Sequence, residues 1–230
     1  MGRRVFTLSF DDGVRQDARV IELLQKFGLK ATFNLNSGLF GACLDLGPAQ
    51  NHVRHERWRA EEVSGVYAGM EVAAHTCTHP DLKTLSRVRI LEEVVGDLLR
   101  LSDLVGYEVV GMAYPGGPPN YNGEVVRVIR ENTRVCYARG FRSTHRFDLP
   151  ADFLTWHPTA HLLDPDLDRL LDDFAEAEGD AVCYLWAHSY EFDVHSAWDR
   201  AEQIFARLAR SGGVCQTNRE VFCSFPPRDR

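Results

Sequence analysis

Short apolar runs alternate with longer amphipathic stretches along the whole 230-residue chain, and this alternation restricts the fold more than any other feature. Val5–Phe10 is rich in β-forming residues and stops at Asp11-Asp12-Gly13. Arg15–Phe27 then carries Val20, Leu23, Leu24 and Phe27 at helical spacing, with Gly28 suited to a C-terminal cap. Lys30–Leu35 reads as a strand, Trp58–Ala68 as a helix and Glu71–Ala74 as a short strand. Ser86–Val105 sets Ile90, Leu91, Val94, Val95, Leu98 and Leu101 on one side of a helix. Val109–Tyr114 and Arg134–Ala138 read as strands around a helix at Glu124–Asn132. The spacing further predicts a helix at Pro165–Glu178, a strand at Ala181–Ala187, a helix at Ser196–Arg210 capped by Ser196, and a last strand at Val214–Gln216. Strands that alternate with helices pair in parallel, and right-handed crossovers favour a barrel or a doubly wound sheet. About seven parallel strands in this length fit an α/β fold, a small or incomplete (β/α) barrel. No linker, repeat or change of composition divides the chain, so residues 1–230 are expected to form a single catalytic domain. Two longer irregular loops, Asn36–Arg57 and Gly140–Thr159, interrupt the pattern.

Composition narrows the partners. With 26 basic and 33 acidic residues the net charge is −7, which argues against broad binding to nucleic acid or to an anionic membrane. Six scattered cysteines form no Cys-x-x-Cys pair, and reduced, mostly buried thiols are expected. The apolar run after Met1-Gly2-Arg3-Arg4 ends at Asp11, too short for a signal peptide, and nothing approaches a membrane span, so a cytoplasmic location is expected.

The polar residues with chemical potential share an address. Asp11 and Asp12 follow the first strand, His75 and His79 the third, Pro115-Gly116-Gly117 the fourth, Arg139 the fifth and His188 the penultimate one. In a (β/α) barrel the loops after the strands gather at one face, where active sites are built. Asp-Asp-Gly is good turn chemistry, yet adjacent carboxylates also want a cation or donor between them. His75 and His79, four residues apart, can hold a divalent metal together with a carboxylate from another strand end. His157 and His161 repeat that spacing without a carboxylate pair of their own, and His161 is expected to line the same pocket. His52, His55 and His195 have no supporting pattern and are assigned to loops or the surface. A backbone amide of Gly116 or Gly117 can face a developing oxyanion, and His188 can serve as a general acid. No Gly-x-Ser-x-Gly elbow, Walker loop or Gly-x-Gly-x-x-Gly fingerprint is present, which sets aside serine-hydrolase, nucleotide-hydrolase and dinucleotide readings.

Thr7-Leu8-Ser9-Phe10-Asp11-Asp12-Gly13, His75-Thr76-Cys77-Thr78-His79, Ala113-Tyr114-Pro115-Gly116-Gly117 and Leu185-Trp186-Ala187-His188 occur in the order seen in the polysaccharide deacetylases, the NodB-homology carbohydrate esterases, and the chain resembles that family. The resemblance implies a distorted (β/α) barrel that removes acetyl groups from sugars with a divalent metal, most often zinc. By position it implies Asp11 as general base, Asp12, His75 and His79 as metal ligands, Gly116 as the oxyanion-hole amide and His188 as general acid. Two departures stand out. Many members carry an arginine in the third motif that braces the base, whereas this chain has Ala113, so Arg139 or Arg142 is expected to supply that charge. The family's aspartate–tryptophan motif that tunes the catalytic histidine is also not evident, which leaves Asp148, Asp152 and Asp193 as partners for His188. The substrate implied is an N-acetylated saccharide, with a small amide such as a cyclic ureide or imide as the alternative. A binding module with a decayed site is disfavoured because every ligand and acid–base residue is present, and an iron oxygenase because α/β alternation is unusual for one.

Overall fold

A computed structural model describes residues 2–225; Met1 and residues 226–230, the ends of the expected domain, lie outside the described residues. The first half of the chain runs β1 (Arg4–Asp11), α1 (Asp17–Lys26), β2 (Thr32–Leu35), β3 (Cys43–Asp45), β4 (Arg54–Glu56), α2 (Val63–Val66), β5 (Glu71–Ala74) and α3 (Arg87–Val105). It continues through β6 (Gly111–Ala113), α4 (Gly123–Asn132), β7 (Tyr137–Arg139), β8 (Ala160–His161), α5 (Leu167–Glu176) and β9 (Ala181–His188). After β9 come α6 (Glu191–Val194), α7 (Trp198–Arg210), β10 (Val214–Cys215) and α8 (Asn218–Ser224).

Seven parallel strands lie in the order β7-β6-β5-β2-β1-β9-β8, and β10 pairs with the start of β1. The sheet curls until its edges nearly meet. Trp156 makes a parallel bridge to Arg139 on the β7 edge, and four residues later Ala160 and His161 pair with β9. Residues 156–161 therefore span the gap, and the result is a distorted (β/α) barrel.

Period-two alternation sorts the strand residues between two environments. On β1, Phe6, Leu8 and Phe10 join the large core between the sheet and its helices, with Phe33, Val20 and Phe205 among their companions. Burying each such side chain is worth roughly 1.5–3 kcal/mol. The opposite face of β1 reads Val5, Thr7, Ser9, Asp11, a climb in polarity from the floor of the barrel to its mouth. Val5 packs there with Tyr137, Trp156, Val182, Tyr184 and Val221, so α8 plugs the floor. Thr7 Oγ1 donates to Asn218 Oδ1 (2.8 Å) and Asn218 Nδ2 to the Tyr184 hydroxyl (2.6 Å), which ties the start of α8 to the interior.

Several expected elements shift. Trp58–Ala68 is a 3₁₀ turn at Ala60–Glu62 followed by the four-residue α2, because Gly65 and Gly69 give a short helix little to hold it. Ser196 does not cap α7; it has φ +51°, and Ala197 stands at the cap position. The Asn36–Arg57 loop contains the antiparallel β3–β4 hairpin, whose polar strands carry no apolar alternation. The cysteines are less buried than expected: Cys183 is fully buried, whereas Cys43 and Cys223 are exposed.

Candidate metal centre and catalytic groups

The mouth of the barrel gathers the ends of β1, β5, β7 and β9. Asp12, His75 and His79 each offer one ligand atom, and these atoms lie within 4.8 Å of one another. His79 Nε2 stands 3.9 Å from Asp12 Oδ1, and His75 Nε2 stands 3.9 Å from Asp11 Oδ2. The Nδ1 of His75 donates to the carbonyl of Ala113 (2.9 Å), which leaves Nε2 free to face the cluster. Burial pushes His75 down to about 4, so its imidazole is neutral and able to ligate. The residues present therefore fit a divalent metal: a carboxylate and two imidazoles on one small patch.

Local sequence explains how this patch holds its shape. Asp12 (φ +82°), Thr76 (φ +68°) and His79 (φ +58°) all occupy the left-handed region, which costs non-glycine residues energy unless the surroundings impose it. Two carboxylates of α3 impose it on the histidine turn. Asp97 accepts the backbone N–H groups of His75 (2.9 Å) and Ser37 (2.7 Å), one on each oxygen. Glu93 accepts from the backbone N–H of Thr78 (2.8 Å) and from its hydroxyl (2.7 Å). Asn36 Nδ2 reaches the carbonyls of His75 (2.6 Å) and Thr76 (2.9 Å) from the end of β2. Gly38 lies so close that a Cβ there would meet the Cys77 carbonyl at 2.7 Å.

Asp11 is almost wholly buried and is gripped by Arg139, whose Nη2 reaches both carboxylate oxygens, 2.5 Å from Oδ1. Asn34 Nδ2 donates to the same Oδ1 (2.8 Å). Burial by itself raises this carboxyl, but the Arg139 guanidinium, with His75 and His188 nearby, more than reverses it and holds Asp11 below the usual carboxylate range. Arg139 thus supplies the charge missing at Ala113, whereas Arg142 is exposed. The Arg139 guanidinium also stacks on Trp186, 4.6 Å from the ring centroid.

His188 finds a different partner from those expected. Asp148 binds Arg146, Asp152 pairs with Arg130, and Asp193 accepts from Trp198 and Gln16. Glu191, one turn beyond His188, takes the place: its Oε2 accepts the His188 backbone N–H (2.9 Å), lies 3.4 Å from His188 Nδ1 and accepts from His161 Nε2 (2.9 Å). The Leu163 N–H donates to His161 Nδ1 (3.1 Å), so Nε2 carries the proton that goes to Glu191. Burial lowers His188, but the bond to Glu191 and the negative charge of Asp12, Glu191 and Asp11 outweigh it and push it up to about 9. The His-Ser-Tyr-Glu spacing in 188–191 is the sequence signal that could have located this carboxylate.

The remaining candidates divide. His161 lines the site, as expected, while His157 bonds the Tyr121 hydroxyl (2.9 Å) and stands apart from it. Gly116 lies in an exposed turn with φ +83° after β6. That turn is anchored by Tyr114, whose N–H donates to the Arg139 carbonyl (2.9 Å) and whose carbonyl accepts from Asn120 (2.9 Å). His52 and His195 lie away from these groups, but His55, assigned to a loop, is buried against Asp12, as is Arg57.

The sequence profile described as polysaccharide deacetylase matches residues 1–134. No curated protein matches the sequence. Among solved structures, the Xyl-CE4 domain of a multidomain xylanase from the hindgut metagenome of Trinervitermes trinervoides superposes with a TM-score of 0.62 at 19% identity, covering 97% of this chain and 91% of that one. The peptidoglycan deacetylase PdaC from Bacillus subtilis gives 0.57 at 19% identity, covering 95% and 90%. A family 4 carbohydrate esterase from Streptomyces lividans gives 0.57 at 16% identity, covering 94% and 93%. At such identities these likenesses speak to the fold.

Proposed function

Since the chain belongs to the polysaccharide deacetylase family, we propose that it hydrolyses the N-acetyl group of an acetylated saccharide at the mouth of its barrel. The observation that carries this reading is the convergence of Asp11, Asp12, His75, His79 and His188 from the C-terminal ends of β1, β5 and β9. Asp12, His75 and His79 would hold the metal, and zinc suits a set of two imidazoles and one carboxylate. When bound, the metal acidifies a water and polarises the acetyl carbonyl.

The chain's own groups do the rest. Asp11, kept as a carboxylate by Arg139, accepts the proton that the attacking water releases. The Gly116 amide is assigned to the developing oxyanion. His188, kept cationic by Glu191, gives its proton to the departing nitrogen, without which an amine is a poor leaving group. Water and amide become acetate and free amine. Relatives described as a peptidoglycan deacetylase and a carbohydrate esterase favour a saccharide over a small ureide or imide.

The test is acetate release from N-acetylated chito-oligosaccharides together with metal analysis of the purified protein. Stoichiometric metal, activity lost to a chelator and restored by zinc are expected. Protein that holds no metal, with His75→Ala indistinguishable from wild type, would overturn the reading.

A further inference from the structure

His55 breaks the pattern of its surroundings. Its strand neighbours are exposed or half-buried and β3 is exposed throughout, yet His55 is only 4% accessible. A buried imidazole needs partners, and it has three. Its Nε2 stands 3.0 Å from Asp12 Oδ2, the Arg57 Nη1 stands 3.2 Å from its Nδ1, and the Tyr190 ring packs 4.8 Å away. A guanidinium has no acceptor, so His55 Nδ1 must accept, and the proton sits on Nε2, aimed at Asp12.

Arg57 completes the arrangement. Its Nη2 is 3.3 Å from Asp12 Oδ1, and its Nε donates to the Asp12 backbone carbonyl (3.2 Å). Both side chains come from the end of the β3–β4 hairpin, and the main chain locks that hairpin to the loop carrying Asp12. Arg15 N–H donates to the Glu56 carbonyl (2.8 Å), Val14 forms an antiparallel bridge with Arg57, and Trp58 N–H donates to the Gly13 carbonyl (3.1 Å). The far side of the hairpin is held as well, by Asn51 Nδ2 on the Val194 carbonyl (2.8 Å).

Asp12 therefore has Oδ2 capped by His55 (3.0 Å), while Oδ1 takes only the longer Arg57 contact (3.3 Å) and faces His79 Nε2 at 3.9 Å. We infer that His55 and Arg57 are positioning residues that hold Asp12 in its left-handed conformation and present it as a one-oxygen metal ligand. The inference rests on the proposed metal site and extends it to a part of the chain in which no motif was legible. Groups that hydrogen-bond a metal ligand restrict its orientation, and removing them typically weakens metal binding by about 10–100-fold.

The test is zinc affinity of the metal-free protein, measured by competition with a chromophoric chelator, with circular dichroism of each apo variant. His55→Ala is expected to bind zinc about 10–100-fold more weakly. His55→Gln, which keeps an N–H donor of similar reach, should recover most of that loss, and His55→Met, of similar size without a donor, should not. Should His55→Ala fail to fold, the comparison of Gln with Met decides, and equal affinities would overturn the inference. A folded His55→Ala that binds as tightly as wild type, while the ligand variant His75→Ala loses zinc, would also overturn it. A wild type that takes up no zinc would remove the metal reading itself, and this inference with it.

Discussion

Arg139 and Asp11 lie 128 residues apart in sequence, and at the top of the barrel Arg139 Nη2 stands 2.5 Å from Asp11 Oδ1. Both side chains are nearly inaccessible to solvent. A buried carboxylate of this kind is tolerated because a guanidinium meets it at short range and Asn34 supplies a further donor. The proposed base is thus kept ionised by a residue from β7, in a chain whose third motif lacks the expected arginine.

Arg139→Met should expose this dependence. Breaking a buried pair on one side costs roughly 3–5 kcal/mol. With burial no longer offset, the Asp11 carboxyl rises, so the acidic limb of kcat/KM should move to higher pH. Thermal unfolding and a pH–rate profile check the two effects, and an unmoved acidic limb would contradict the link to Asp11.

Asp11→Asn keeps the size of the side chain and removes the proton acceptor. Turnover should fall by about 10²–10⁴-fold, the usual contribution of a general base. Metal content should be unchanged, because Asp12 and the two histidines remain. Steady-state kinetics beside metal analysis separates these outcomes.

Glu191→Gln addresses the acid. The folded-state value for His188 is raised above 6.5 to about 9, so the imidazolium persists through neutrality and is lost as pH rises through about 9. Without the Glu191 charge that limb should shift toward neutral pH. Activity at pH 8 should then fall by a larger factor than activity at pH 6. A uniform loss at both would point to a role in packing only.

Asp97→Ala takes an acceptor from two buried backbone N–H groups; that of Ser37 is orphaned, while that of His75 keeps the Leu35 carbonyl (2.8 Å). An orphaned buried donor costs about 1–3 kcal/mol. The melting temperature should drop, and zinc affinity with it, since the His75 turn loses its anchor.

Asp17 gives a pH signature in stability. Buried between the Tyr67 hydroxyl (2.6 Å) and the Ser189 hydroxyl (2.5 Å), its carboxyl is pushed up to about 7 by burial. A raised folded-state value means that its contribution is fully present below pH 3.8 and is lost as pH rises through about 7. Asp17→Asn, whose amide can still bond both hydroxyls, should flatten the fall in stability between pH 5 and pH 8. Denaturant unfolding at the two pH values measures it.

Asp17, Glu93 and Asp97 show how far sequence reading reaches. Glu93 and Asp97 lie one turn apart on the same face of α3 as Ile90, Val94 and Leu98, and two acids on a core-facing stripe are a readable sign of buried acceptors. Asp17, in the first turn of α1, looks like an ordinary helix-start carboxylate; only packing against Tyr67 and Ser189 shows it to be buried. The choice of Arg139 over Arg142 follows from alternation along β7, which turns Arg139 into the barrel while Arg142 lies beyond its end.

The sequence by itself determined the strand–helix alternation and the ordered clusters at strand ends, because period and turn chemistry are local properties that survive without a partner. It thereby placed Asp11, Asp12, His75, His79 and His188 at one mouth. Tertiary structure alone decided which side chains complete that site. The Arg139 grip on Asp11, the Glu191 and His161 pair beside His188, and the His55–Arg57 hold on Asp12 each join residues brought together by the closing of the sheet or the docking of a polar hairpin. A contact whose energy arises from burial and charge across distant segments leaves no period in the chain.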